Sequence, residues 1–281
     1  MKIDVNDKVD FVHLWQEGMK GWNGKMPERM VNDELEDSFW KEIVMRKPLD
    51  PKMDEHVIPL FTKLKTHITS SDHVLEIGPG WGNYTFSLLP NVNTLTCIDS
   101  SSHIIDYLQQ VKNRKNANSL DLIHHKWEEW DNTTKYDVVF GINCFYRMYH
   151  IKPALKKMNE TARRLAIIGM TTGPMRPHYL DLLKTTNLTI NIPRRDYIHL
   201  LNILYELGIY AQCETIELQR TFTYHSYEEL IKANTIKIRE ESYDRKPVEN
   251  AIEKYSYYQD GKYYYPHQFH GVLLHWQPKN Q

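Results

Sequence analysis

The chain reads as an α/β protein: a doubly wound, mostly parallel, seven-stranded sheet with an N-terminal helical cap and a late insertion. Three observations carry that expectation. From residue 73 onward, short apolar runs alternate with amphipathic segments, as they do in a sheet covered by helices on both faces. The first of these runs stops at closely spaced glycines, as a buried parallel strand does where it turns into a helix. Everything before it has helical periodicity.

Taken in order, Phe11, Leu14, Trp15, Met19 and Trp22 recur at helical spacing, and so do Leu35, Phe39, Trp40, Ile43 and Val44. Pro48 and Pro51 end the second segment, and Val57, Ile58, Phe61 and Leu64 mark a third. Strands are then expected at Val74–Ile77, Thr94–Ile98, Leu120–His124, Tyr136–Phe140 and Leu165–Met170, with helices between them. A helix from Asp196 to Leu207 stops at Gly208, a residue suited to the C-terminal cap. Strands near Cys213–Tyr224 and Phe269–Trp276 complete the seven. The organisation expected is a helical cap or lid over 1–70, a core over 71–225, an insertion over 226–266 and a closing strand over 267–281. The insertion is polar and rich in tyrosine (Tyr255, Tyr257, Tyr258, Tyr263, Tyr264, Tyr265), which suits either a pocket lining or a contact between two copies.

Composition narrows the function. Thirty-five basic residues stand against 36 acidic ones, a net charge of −1. An enzyme that works on nucleic acid gains much of its affinity by neutralising phosphates and carries a basic face, so nucleic acid is not the expected partner. Cys97, Cys144 and Cys213 are sparse and odd in number, against a disulfide framework and for a reducing compartment. Met1–Asp7 has no apolar run of a signal peptide, and no stretch approaches the ~20 apolar residues of a membrane span. The sequon-like Asn83-Tyr84-Thr85 and Asn132-Thr133-Thr134 then carry no weight. A cytoplasmic protein is expected, with no membrane partner, as a monomer or homodimer.

The informative stretch is Val74-Leu75-Glu76-Ile77-Gly78-Pro79-Gly80-Trp81-Gly82. Gly78 and Gly80 let the backbone turn tightly and approach a ligand with no Cβ in the way. Gly82 keeps the following helix close to the sheet. A dinucleotide site needs Gly-x-Gly-x-x-Gly, but its last position falls on Asn83. The second strand ends at Asp99, 23 residues after Glu76. An acidic side chain there can accept both hydroxyls of a ribose. It can also cap a helix, as can Ser100, Ser101 and Ser102.

Glu76-x-Gly78-x-Gly80-x-Gly82 followed by Asp99 resembles the cofactor motifs of class I S-adenosylmethionine-dependent methyltransferases, over about Val74–Met170 and the closing strand Gly271–Trp276. The resemblance implies S-adenosylmethionine as cofactor and S-adenosylhomocysteine as product. Glu76, Gly78, Pro79, Gly80 and Gly82 would serve the methionine portion and Asp99 the ribose, with Ser100 also among the cofactor-binding residues. Lys126 and Trp127 would lie along the adenine, although Trp127 and Trp130 can equally cover the core. Asn143, after the fourth strand, would face the reacting methyl group.

Methyl transfer from a sulfonium is an in-line displacement in which positioning counts most, with a general base where the acceptor carries a proton. The fourth strand leads to Asn143-Cys144-Phe145-Tyr146, not the Asn-Pro-Pro-Tyr of amino-methylating nucleic-acid enzymes. Without a Pro-Cys pair, Cys144 is expected to pack and not to attack. A small-molecule acceptor is therefore expected, methylated on O, N, S or C. Tyr146 and His178 are the candidates for catalysis, as base or as hydrogen-bonding wall. Arg147, Arg176 and Tyr179 are candidates for holding the acceptor, and Trp15 and Trp22 either roof the site or fill the core. His124-His125 is too isolated for a metal, and no metal is expected. The rival readings are an RNA or protein methyltransferase and a catalytically silent protein that binds the cofactor.

Overall fold

A computed structural model of the chain describes residues 9–131 and 133–278. The leading Met1–Asp7 and Asn132 of the second sequon lie outside the described residues. The helices α1 (Phe11–Met19), α2 (Glu28–Val31), α3 (Asp33–Val44) and α4 (Ile58–Lys65) come first. Then follow β1 (His73–Ile77), α5 (Thr85–Leu88), β2 (Thr94–Asp99), α6 (Ser102–Lys115), β3 (Leu120–His124), β4 (Tyr136–Ile142), α7 (Ile151–Thr161) and β5 (Ala162–Thr172). The remainder holds α8 (Pro177–Thr185), α9 (Tyr197–Glu206), β6 (Gln212–Tyr224), α10 (Tyr227–Thr235), α11 (Arg245–Glu253), β7 (Tyr257–Gln259) and β8 (Lys262–Trp276).

The strand order is β3-β2-β1-β4-β5-β8-β6, with β7 paired to β8. The pairs among β1 to β5 are parallel, as expected of a doubly wound sheet. Eight strands stand where seven were expected. The additional one, β7, is joined to β8 by Asp260-Gly261, both at positive φ, the geometry of a two-residue hairpin turn. The order reverses between β1 and β4, and in such sheets ligands bind in the crevice beyond the strand ends at that point.

Two compact units divide the described chain. The first takes residues up to Met170, Arg194–Glu214 and the segment from Val272. Its core includes Leu75, Ile77, Val139, Ala166, Ile168, Leu200, Val272 and Leu274. The second takes Thr171–Pro193 and Thr215–Gly271. It has a core of its own, in which Tyr179, Leu182, Ile190, Leu230, Val248, Ile252 and Tyr265 are buried together. The segment 226–266 is thus α10, α11, β7 and the start of β8, packed on residues that precede it in sequence. Among the described residues no helix is long and apolar enough to cross a membrane.

Two local devices set the ends of helices that matter. The α9 helix closes as its sequence predicts: Gly208 has φ +75°, Ile209 N–H donates to Leu204 O at 2.9 Å and Gly208 N–H to Tyr205 O at 3.0 Å. This double bond pattern is the Schellman closure. At the other kind of end, Ser101 caps α6 by accepting from Ile104 N–H at 3.3 Å. Asp37 of α3 reaches the same terminus, accepting from the Ser101 hydroxyl, from Ser102 Oγ at 2.8 Å and from His103 N–H at 3.3 Å. Partial burial works against its charge, but the bonds from Ser101, His103 and Ser102 outweigh it and hold the carboxyl well below the ordinary range. The N-terminal helices are thereby fastened to the core through a helix end whose dipole favours an anion.

A Cβ at position 208 would meet no atom within 4 Å, so a substitution there tests backbone conformation alone. Gly208→Ala is expected to destabilise the protein by about 1 kcal/mol in urea unfolding, through the left-handed φ.

Candidate active site

The site is built where β1 and β4 end side by side. Ile77 pairs with Ile98 on one side and Gly141 on the other, and Gly78 N–H still donates to Ile98 O at 2.9 Å. Gly78 then leaves the strand at φ +63°, and a Cβ there would sit 2.4 Å from Cβ of Cys144. Only glycine fits between the two strand ends. Gly80 and Gly82 also take positive φ, and a Cβ at position 80 would lie 3.5 Å from the Trp40 ring of α3. Gly82 packs against Phe86 and Leu108, where any side chain would collide, so its place between helix and sheet is steric.

Beside this turn lies a cavity of about 540 Å³. From the core it is lined by Ile77, Gly78, Ile98, Ser100, Lys126, Trp127, Asn143 and Cys144, and from the N-terminal helices by Met30, Asp33, Glu36 and Trp40. Tyr146, Arg147, Met148, Tyr149 and His150 continue the wall beyond β4. All of these belong to the first unit.

Two carboxyls stand beneath or beside the turn. Glu76 is buried and accepts from Thr85 Oγ at 2.6 Å. Burial, only partly offset by that bond, pushes it up to about 7. Asp99 accepts from Ser101 N–H at 2.9 Å and from the backbone of Gly80. Burial raises it too, to about 7, against those two bonds. Asp99 is therefore not the cap of α6, a role that Ser101 fills. The Cys144 thiol is pushed well up by burial and by Asp99 and Glu76 nearby, which keeps it a neutral packing group against Gly78.

The sequence-predicted residues divide by location. Gly78, Ser100, Lys126, Trp127, Asn143, Tyr146 and Arg147 line the cavity together. Lys126 is ion-paired with Asp33, and Arg147 Nη2 lies 3.3 Å from the same carboxylate. Trp127 is nearly buried and donates its indole N–H to Ala154 O at 3.2 Å, so one edge is anchored in the core while the residue still borders the cavity. Asn143 sits at φ +54° and donates its N–H to Gly169 O at 2.9 Å. Pro79 is buried, its carbonyl accepting from Gly82 N–H at 3.0 Å. Trp15 is wholly buried, bonded to Met148 O at 3.0 Å. Trp22 is 42% exposed beneath the Arg194 guanidinium.

Arg176, His178 and Tyr179 fall in the second unit. His178 Nδ1 lies 2.7 Å from Tyr265 Oη and Nε2 2.9 Å from Asn234 O. Burial holds it down at about 4. Arg176 reaches Asn234 and stacks over Phe222 at 4.0 Å, and Tyr179 is buried in that unit's core.

Sequence reasoning did not single out Met30, Asp33, Glu36 and Trp40. Their signal was available: Asp33, Glu36 and Trp40 are spaced three and four apart, so they share one face of a helix. Glu36 carries the constellation. It accepts from Trp40 Nε1 at 2.9 Å and from Tyr146 Oη at 3.3 Å, and its other oxygen lies 2.8 Å from Arg29 Nε. Burial, and then Glu36, push the Tyr146 phenol up to about 12, so at neutral pH it is a hydrogen-bond donor and not a base.

Comparison with known proteins agrees with this geometry. Residues 74–167 match the family model described as a methyltransferase domain. The chain is 27% identical over 201 residues to an uncharacterized protein of Haemophilus influenzae, covering 66% of this chain and 72% of that one. A stretch of 75 residues, 27% of this chain, is 29% identical to ribosomal RNA small subunit methyltransferase A of Malacoplasma penetrans, where it spans 28% of the length. Among solved structures, a candidate methyltransferase of Bacillus halodurans superposes with a TM-score of 0.52 at 13% identity, covering 78% of this chain and 99% of that one. The Bacillus subtilis protein YcgJ gives 0.51 at 11% identity, covering 79% and 98%. These two likenesses are of fold. With the glycine turn at the sheet's reversal point and Asp99 ending the next strand, they agree on one conclusion: residues 74–167 match a methyltransferase domain, on a sheet with the fold of the class I S-adenosylmethionine-dependent methyltransferases.

Proposed function

We propose that the cavity of the first unit holds S-adenosylmethionine beside a small-molecule acceptor, and that the enzyme methylates this acceptor on O, N, S or C. The observation that carries the small-molecule reading is the roof. Met30, Asp33, Glu36 and Trp40 line the same cavity as Gly78 and Ser100, and Asp33 is bridged to Lys126 and Arg147. An acceptor has to fit beneath that bridge, in about 540 Å³ shared with the cofactor, a size ordinary for a metabolite site. The balanced charge of −1 agrees.

In this reading the Gly78–Gly82 turn receives the methionine portion over buried Glu76, and Asp99 with Ser100 takes the ribose hydroxyls. Trp127 and Lys126 border the adenine, and Asn143 faces the reacting end. When bound, the cofactor would supply a methyl carbon on a cationic sulfur, an electrophile for in-line displacement by the acceptor. Tyr146, its one proton committed to Glu36, orients the acceptor by accepting a hydrogen bond on its phenolic oxygen. The ring of Trp40 and the Arg147–Asp33 pair bound the space above the reacting groups.

A second reading, methylation of RNA, draws on the 75-residue likeness to a ribosomal RNA methyltransferase. Incubating the enzyme and methyl-labelled cofactor with cell extract separates the two. Label is expected in a low-mass product separated from the unreacted cofactor, and transferred label confined to RNA or protein overturns the small-molecule reading.

Asp99 and Glu76 are raised in the free protein, so its native state holds protons that the unfolded chain has released. Stability therefore falls as pH climbs from the ordinary carboxylate range to about 7. A cofactor that needs Asp99 ionised has the opposite trend. S-adenosylhomocysteine is expected to bind roughly tenfold more weakly at about pH 6 than at about pH 8 by calorimetry. Asp99→Asn is expected to flatten this profile and to weaken binding roughly tenfold at the higher pH. Tyr146→Phe is expected to lower kcat/KM roughly tenfold, about 1.4 kcal/mol, with S-adenosylhomocysteine affinity unchanged.

A further inference from the structure

Among the described residues, the ring nitrogens of His67 and His275 and a carboxylate oxygen of Glu214 lie within 4.8 Å of one another. The structure assigns to these three a binding site for a divalent transition-metal cation of the zinc type, separate from the methyl-transfer cavity. All three belong to the first unit, and none lines that cavity. His67 lies between α4 and β1, Glu214 on β6 and His275 near the end of β8. The His67 carbonyl accepts from Arg164, near the start of β5, at 3.1 Å. The cluster thus sits toward the starts of the parallel strands, whereas the cavity lies beyond their ends.

The geometry suits one cation. His67 Nε2 is 2.9 Å and His275 Nε2 3.7 Å from the same oxygen, Oε2 of Glu214. The two imidazole rings lie 4.4 Å apart between centroids, tilted by 42°. Ligand atoms at ~2.0–2.1 Å from a tetrahedral zinc are about 3.3 Å apart, so side-chain shifts of under an ångström would close the set. Two imidazoles and one carboxylate, with a fourth position left to water, are ligands that suit zinc. Lys63 holds the other oxygen, Oε1 of Glu214, at 2.9 Å. It orients the carboxylate without occupying the ligand face, as outer-shell partners of metal ligands do.

Lys63 and His67 are each held to Glu214 at 2.9 Å, whereas His275 reaches it only at 3.7 Å, too far for a hydrogen bond. Its Nε2 is buried and has no hydrogen-bond partner, and the residue is 8% exposed. Buried polar atoms in native proteins are ordinarily paired. A bound cation would supply the missing partner and join the segment before β1 to β6 and β8.

The test uses the tag-free full chain, stripped with a chelator and titrated with zinc against a chromophoric competitor, with cobalt(II) as a spectroscopic probe. Roughly one equivalent of zinc is expected at micromolar affinity or tighter, with visible cobalt bands of low coordination number. His67→Gln and Glu214→Gln are each expected to weaken zinc at least tenfold and to abolish the cobalt bands. His124→Gln, at the other histidine pair, is expected to change neither. S-adenosylhomocysteine binding, measured on every variant, reports that the fold is intact. No zinc uptake by the native chain, or uptake that His67→Gln and Glu214→Gln leave unchanged while cofactor binding persists, would overturn the assignment.

Discussion

The ends of β1 and β4 approach so closely at the sheet's reversal point that position 78 has no room for a side chain. Cys144 occupies the space a Cβ would take, 2.4 Å away, and the backbone adopts a left-handed φ that glycine alone accepts without cost. From this constraint the site follows. The chain turns over the sheet's edge, exposes backbone beside a cavity and brings Asn143 and Tyr146 across from Ser100. The same closeness gives Cys144 a structural task, and burial keeps its thiol neutral.

The N-terminal helices belong to this site as much as the sheet does. Asp37 fastens α3 to the start of α6 through Ser101, Ser102 and His103. That anchorage sets Asp33, Glu36 and Trp40 over the glycine turn, where they meet Lys126, Tyr146 and Arg147. An acidic helix face thus meets basic and phenolic groups from the loops after β3 and β4. Burial raises the carboxyls Glu76 and Asp99 against the hydrogen bonds that reach them, which is the electrostatic state of a site organised for a hydroxylated and cationic ligand.

Much of this was legible in the sequence. The strands from β1 to β5, the glycine closure of α9 and the Glu76-to-Asp99 spacing follow from local patterns: period, glycine position and the acidic residue ending a strand. The second unit was less legible, because its core joins Tyr179 and Leu182 to Leu230, Val248 and Tyr265 across segments with no shared local signal. The α8 helix and the β7–β8 hairpin belong to that unit, although Asp260-Gly261 is a strong turn pair. In the site, Glu36 and Trp40 read as one amphipathic helix until the fold shows what their face meets. His67, Glu214 and His275 are separated by 147 and 61 residues, so no spacing rule could have joined them. His178 lay in a promising loop by sequence, but both its nitrogens are engaged within the second unit.

The central claim is that the glycine turn and Asp99 form a site for a nucleoside sulfonium cofactor and not for a dinucleotide. Calorimetric titration of the full chain with S-adenosylhomocysteine, alongside NADH, tests it most directly. The account predicts micromolar binding of S-adenosylhomocysteine and none of NADH. Binding of NADH with no response to S-adenosylhomocysteine would contradict it.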